Sequence, residues 1–198
     1  MKQIVLMCLA AVCCAFLAQA GTIPLLNPGF ETGNAASWFS PQAGLPGVVP
    51  HATYPHANNE TLGTYFAYYS AGDFATSWCG QKTGTNFVAN NRYTLAAWMS
   101  NGGSASGFLD IGYCATPGDL STFTSLTSAT YAITVPWAQY SLVYDAPLSA
   151  AGKEVCVRFP TKTGNTGGTW VDQMSLEVVP EPALGLCALG LLALLRRR

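Results

Sequence analysis

Thr169-Trp170-Val171-Asp172-Gln173-Met174-Ser175-Leu176-Glu177-Val178 reads as the closing strand of a β-domain. Side chains alternate between the faces of a strand, so Trp170, Asp172, Met174 and Leu176 share one side and Val171, Gln173 and Ser175 the other, unless a bulge intervenes. The turn cluster Thr163-Gly164-Asn165-Thr166-Gly167-Gly168 leads into it. The same rhythm recurs upstream in Glu154-Val155-Cys156-Val157-Arg158-Phe159, Gln139 to Tyr144, and Phe108 to Cys114. It continues in Tyr93 to Met99, Phe74 to Cys79, and the aromatic run Thr64 to Tyr69. Between these runs stand Asn90-Asn91, Asn101-Gly102-Gly103 and Thr116-Pro117-Gly118-Asp119, residue types that turn the chain without steric cost. No stretch of the body has a helical period. Many short strands with short turns predict an all-β fold, a single jelly-roll sandwich.

Residues 34–62 differ. They carry Pro41, Pro46, Pro50 and Pro55 with scattered glycines and little alternation, and they read as a long loop region. Long loops in compact domains are often where function sits.

The two ends belong to traffic rather than to the fold. Residues 1–20 have a basic start at Lys2, an apolar run from Ile4 to Leu17, and Ala18-Gln19-Ala20 before Gly21. This is the layout of a signal peptide, with small residues at the cleavage site. Cys8, Cys13 and Cys14 should leave with it. At the other end, Pro180-Glu181-Pro182 is followed by an apolar stretch, residues 183–195, and by Arg196, Arg197 and Arg198. The stretch is shorter than the ~20 residues of a full span. The arginines favour the cytoplasmic side, and the prolines keep the preceding segment extended. This order of features resembles the PEP-CTERM sorting signal of bacteria. The resemblance covers residues 179–198. It implies an exosortase-type processing enzyme as partner, a precursor held transiently at the inner membrane, and release to the cell surface or outside the cell. An ordinary tail anchor is the alternative.

The expected organisation is therefore a signal helix (1–20), a β-sandwich (21–178), and a sorting signal (179–198) with a short membrane helix at 183–195. Over residues 21–182, five basic residues face ten acidic ones, a net charge of −5. That excludes the basic footprint of a nucleic-acid binder. Export favours oxidation of cysteines. Cys79, Cys114 and Cys156 remain in the body, which allows one disulfide. Cys114 and Cys156 lie in the strongest strand patterns and are the first choice for a pair; three buried thiols fit equally well.

Leu26-Asn27-Pro28-Gly29-Phe30-Glu31-Thr32-Gly33 with Trp38, together with Gly168-Thr169-Trp170-Val171-Asp172-Gln173-Met174-Ser175-Leu176, resembles the opening and closing of galactose-binding-like jelly rolls. The nearest likeness is to carbohydrate-binding modules of the family 4, 9 and 22 type. The resemblance implies that the first and last strands are neighbours, that Phe30 plugs the sandwich, and that Glu31 approaches Asp172. In such modules a structural calcium often sits there, and paired carboxylates suit a hard cation. Gln173 stands where the family commonly has a second acid and offers only a neutral oxygen. A pair of solvated edge carboxylates is the alternative.

Flat aromatic rings are the usual sugar contacts. Trp38, Phe39, Tyr54, Tyr69 and Trp78 stand in or beside loops and are the candidates. Trp98, Trp137 and Trp170 lie in strand patterns and are expected in the core. His51 and His56 lack a nearby third ligand and read as solvated loop residues. No nucleophile elbow, zinc-protease motif or phosphate loop is present. The expectation is a non-catalytic surface or matrix protein associated with exopolysaccharide. The alternatives are a carbohydrate-binding module with a defined glycan and, further off, a glycan hydrolase.

Overall fold

The computed structural model of the protein describes residues 20–41, 46–53, 60–69, 78–101, 105–116, 118–160 and 168–180. The predicted terminal helices, Glu181, Pro182, Arg196, Arg197 and Arg198 lie outside these residues, as do Tyr54 and His56. Ten strands follow in order: β1 (Gly21–Ile23), β2 (Gly47–Pro50), β3 (Tyr65–Tyr69), β4 (Trp78–Asn86), β5 (Asn91–Asn101), β6 (Ala105–Cys114), β7 (Phe123–Ile133), β8 (Ala138–Asp145), β9 (Glu154–Pro160) and β10 (Thr169–Pro180). Short 3-10 turns at His51–Thr53, Glu60–Leu62, Leu120–Thr122 and Leu148–Ala150 complete the described chain.

The strands form two sheets, and every pairing among them is antiparallel. One sheet runs β2-β3-β10-β5-β8, with β1 also on β10; the other runs β4-β9-β6-β7. The predicted jelly-roll sandwich is the observed fold. β10 pairs along its length with β5, while β3 takes Thr169 to Val171 and β1 takes Leu176 to Val178 on its other edge. The first and last strands are therefore neighbours, as the resemblance implied.

Alternation in β9 is regular: Val155, Val157 and Phe159 enter the core, and Cys156 and Arg158 face outward. Opposite them, Tyr93, Leu95, Ala97 and Met99 of β5 supply the facing layer. Phe30 plugs the sandwich at 0% exposure, its ring 5.7 Å from Trp38 and 6.1 Å from Phe159. Burying one such ring stabilises the fold by roughly 1.5–3 kcal/mol.

β10 breaks the simple alternation. Its register shifts between Asp172 and Ser175, and Gln173 adopts φ 46°. The bulge is the predicted exception. Val171, Met174 and Leu176 all reach the core, while Trp170 and Asp172 face outward. The expectation that Trp98, Trp137 and Trp170 are core residues holds for Trp137 and Trp170, which are buried, while Trp98 is partly buried. They join Leu62, Phe66, Val49 and Tyr68 in a second apolar cluster on the outer face of this sheet. β2 and β7 are also additions: β2 lies in the expected loop region, and β7 is an edge strand rich in Thr and Ser.

Candidate functional site

A groove of about 510 Å³ opens beside the outward face of the β4-β9-β6-β7 sheet. One wall is the opening loop. Gln81 of β4, itself buried, clamps that loop: its Oε1 accepts from Leu26 N, and its Nε2 donates to Leu26 O and Ser37 O. Asn27 (φ 50°) turns the chain inside the loop, donating through Nδ2 to Asn34 O and Ala36 O. The far wall is the turn at 118–120. There Asp119 Oδ1 accepts from Ser121 N and Ser121 Oγ, which hold its carboxylate below the usual range. Lys82 extends over Gly118 from β4.

Phe39 stands in this groove at 41% exposure, with Leu26 nearby at 61%. Its backbone is tied to Gly80 by a reciprocal pair of hydrogen bonds, both 2.8 Å. On its other side Gly80 packs closely on β9, where a Cβ would meet Val157 O at 2.9 Å. The Phe39 ring lies 5.5 Å from Trp78, and Trp78 lies 5.6 Å from the Arg158 guanidinium. Phe123 flanks that guanidinium at 4.2 Å. Arg158 Nε donates to Asp110 Oδ2 at 2.8 Å, and Ser125 Oγ donates to Asp110 Oδ1. Burial still pushes the Asp110 carboxyl up, against the pull of Ser125 and Arg158.

The outward face of the other sheet holds a second polar pair inside an aromatic box. His51 Nε2 lies 2.9 Å from Asp172 Oδ2, and both residues are buried. The imidazole packs against Phe66 at 4.9 Å and Trp137 at 5.4 Å. Asp172 Oδ1 accepts from Gln173 N at 2.7 Å. Burial pushes the Asp172 carboxyl up to about 7. The hydrogen bond from His51, the Gln173 amide and the His51 charge oppose that rise, while the Glu31 charge adds to it. The pairing joins residues 121 positions apart, and no local pattern announces it. The only sequence signal was an acid set among apolar residues, which, once buried, needs a partner.

Glu31 is near enough to Asp172 to act on its charge, yet each carboxylate is engaged elsewhere. Both Glu31 oxygens accept from Thr64 N, and Oε1 also accepts from Tyr65 N. Calcium requires converging oxygens, whereas these four oxygens meet N–H donors and an imidazole. As arranged, the pair does not fit that ion. Among the described residues no three His, Cys, Asp or Glu side chains are grouped to hold a metal.

Of the predicted glycan contacts, Trp38 and Tyr69 are core residues, at 7% and 1% exposure, and present no ring to a ligand. Trp38 instead donates through Nε1 to Asn27 O, bracing the opening loop. Trp78 is half-buried behind Phe39. Cys114 and Cys156 do come together, with 3.1 Å between their sulfurs.

The sequence matches no known family pattern and no curated protein. Solved structures match the fold. A Stig cyclase from Fischerella sp. TAU, in complex with (3Z)-3-(1-methyl-2-pyrrolidinylidene)-3H-indole, superposes with a TM-score of 0.65 at 18% identity, covering 82% of this chain and 99% of its own. A family 16 carbohydrate-binding module gives 0.54 at 22%, covering 76% and 96%. A family 4 carbohydrate-binding module gives 0.52 at 17%, covering 80% and 100%. At these identities the likeness is one of fold: the chain has the jelly-roll sandwich of carbohydrate-binding modules.

Proposed function

We propose that the protein is an exported, non-catalytic glycan-binding β-sandwich whose ligand lies in the groove beside Phe39. The carrying observation is that one groove joins exposed apolar groups, Phe39 and Leu26, to charged ones, Lys82 and Asp119. A sugar has the matching chemistry: an apolar ring face for Phe39, and hydroxyls for an ammonium and a carboxylate. The groove's volume falls within the ~300–1,000 Å³ of small-ligand sites. The neighbours named as carbohydrate-binding modules support the same reading.

The test is affinity electrophoresis on a panel of polysaccharides with wild type and Phe39→Ala. Retention by one polysaccharide, weakened at least about tenfold by Phe39→Ala, supports the site. Retention that survives Phe39→Ala moves the ligand elsewhere. Running the gels with calcium and with chelator checks the calcium that the family resemblance implied at Glu31 and Asp172, which this arrangement does not fit. Sorting through Pro180, Glu181, Pro182 and the terminal arginines is part of the proposal. It is checked by following tail removal and cell-surface appearance with Pro180→Ala/Pro182→Ala.

A second reading rests on Asp172. A carboxyl that holds its proton near neutrality inside an aromatic box has the environment of a general acid. That reading requires turnover of some substrate, abolished by Asp172→Asn while groove binding persists.

A further inference from the structure

Cys114 ends β6 and Cys156 sits on β9, both on the outward face of their sheet. Gly112 registers with Cys156, so Cys114 lies one diagonal step along. Antiparallel diagonals are long, but the two side chains lean together until their sulfurs are 3.1 Å apart. Leu120 packs on the two sulfurs, with Trp78 and Phe123 at the margin. Leu120 belongs to the 118–120 wall of the groove, and Trp78 backs Phe39. Cys79 points into the core on the other face and takes no part.

The geometry points to a Cys114–Cys156 disulfide that fastens the Leu120 wall, so that the groove's shape depends on redox state. This inference deepens the groove reading above and rests on it for ligand binding. The oxidant is an external disulfide. One cysteine, as thiolate, attacks it, releases one thiol and forms a mixed disulfide. The second cysteine then displaces the other half. The external disulfide gains the two electrons and leaves as two thiols, and the two cysteine protons are transferred. Burial pushes both thiols up, so exchange requires opening of the 115–122 segment or occurs before it closes. Once formed, the bond lies beside Leu120, and its reduction requires the same opening.

The experiment takes the full chain through buffers of glutathione and its disulfide, quenches with acid, alkylates in denaturant and digests with trypsin. Cys156 falls in residues 154–158, Cys114 in 93–153 and Cys79 in 3–82. The expected product in oxidising buffer is 154–158 joined to 93–153, two hydrogens lighter than the separate peptides, with Cys79 alkylated. Finding both peptides separately alkylated overturns the disulfide. Hydrogen exchange at Ala115, whose amide donates to Thr122 O, reads the wall directly. On reduction it should quicken by about tenfold. Cys114→Ser/Cys156→Ser should show the fast rate in both buffers. A rate unchanged by reduction overturns the fastening even if the bond forms. Polysaccharide retention reads the ligand arm separately. Loss of retention on reduction supports the coupling, and retention indifferent to reduction overturns it. Absence of retention on every polysaccharide, with Ala115 responding, overturns the glycan reading and leaves the fastening supported.

Discussion

The two outward faces of the sandwich each bury an aspartate, and each gives it a different partner. On the β4-β9-β6-β7 sheet, Asp110 is held by the Arg158 guanidinium and by Ser125. On the β10 sheet, Asp172 is held by the His51 imidazole and the Gln173 amide. Burial pushes both carboxyls up. Arginine keeps its charge at any physiological pH, whereas histidine can give its proton away. Asp110–Arg158 is therefore a permanent strut under the proposed groove, whereas at His51–Asp172 the carboxyl, pushed up to about 7, changes its charge near neutrality.

Removing the strut is the severest way to test this contrast. Arg158→Met keeps apolar contact with Trp78 and Phe123 but leaves the fully buried Asp110 without its cation. Breaking a buried pair from one side costs about 4 kcal/mol. A urea titration at pH 7 should show that loss. A loss under about 1 kcal/mol would mean that Asp110 is solvated through Arg158's partly exposed side.

The second face should respond to pH with the opposite sense from an ordinary salt-bridged acid. Burial pushes the Asp172 carboxyl from its ordinary 3.8 up to about 7 in the fold. The folded state then binds the proton more tightly. Its contribution to stability is complete below about pH 4 and is lost as the pH rises through 7. Between pH 5 and 8 that amounts to roughly 2–3 kcal/mol of declining stability. Urea midpoints across this range should fall for wild type and stay level for Asp172→Asn. His51→Asn should shift the decline to higher pH, because the imidazole is the largest influence holding the carboxyl down. A wild-type midpoint that rises with pH would reverse the assignment.

The same two faces were unequally legible in the sequence. Val155, Val157 and Phe159 declared their sheet because the bulky residues alternate without interruption. β7 left little mark, since an edge strand of Thr, Ser and Ala needs no apolar alternation when one side faces water. On the other sheet, one left-handed residue, Gln173, shifts the face of everything after it. That moved Trp170 and Asp172 outward while Met174 and Leu176 stayed in the core. The bulge was foreseeable as a possibility but not as a position. The opening motif did place Phe30 correctly, because its burial follows from packing against the first loop, whereas Trp38, marked as a sugar contact, is buried beside it. The groove itself was less visible. Its walls are joined by Gln81 across 55 residues to Leu26, and long-range closure of that kind has no local signature. Phe39 was marked by its loop setting, but exposure alone separates it from its neighbour Trp38.

The smallest expected effect concerns that bulge. Gln173 adopts φ 46°, where a side chain costs about 1 kcal/mol relative to glycine. Gln173→Gly removes the strain. It also removes the hydrogen bond that Nε2 donates to Leu62 O at 2.6 Å, worth about 1 kcal/mol, and it frees the unfolded chain by somewhat less. The terms nearly cancel, and a net loss below about 1 kcal/mol is expected in urea titration. The bond spans 111 residues to the turn that carries Leu62 into the Phe66–Trp137–Trp170 cluster. Hence the variant should leave global stability almost level while the Asp172 titration shifts, because a looser Leu62 lets water nearer the carboxyl and lowers the pH at which the decline levels off. A large loss of stability with an unmoved titration would instead make Gln173 a brace for the whole sheet, and the His51–Asp172 box would be rigid without it.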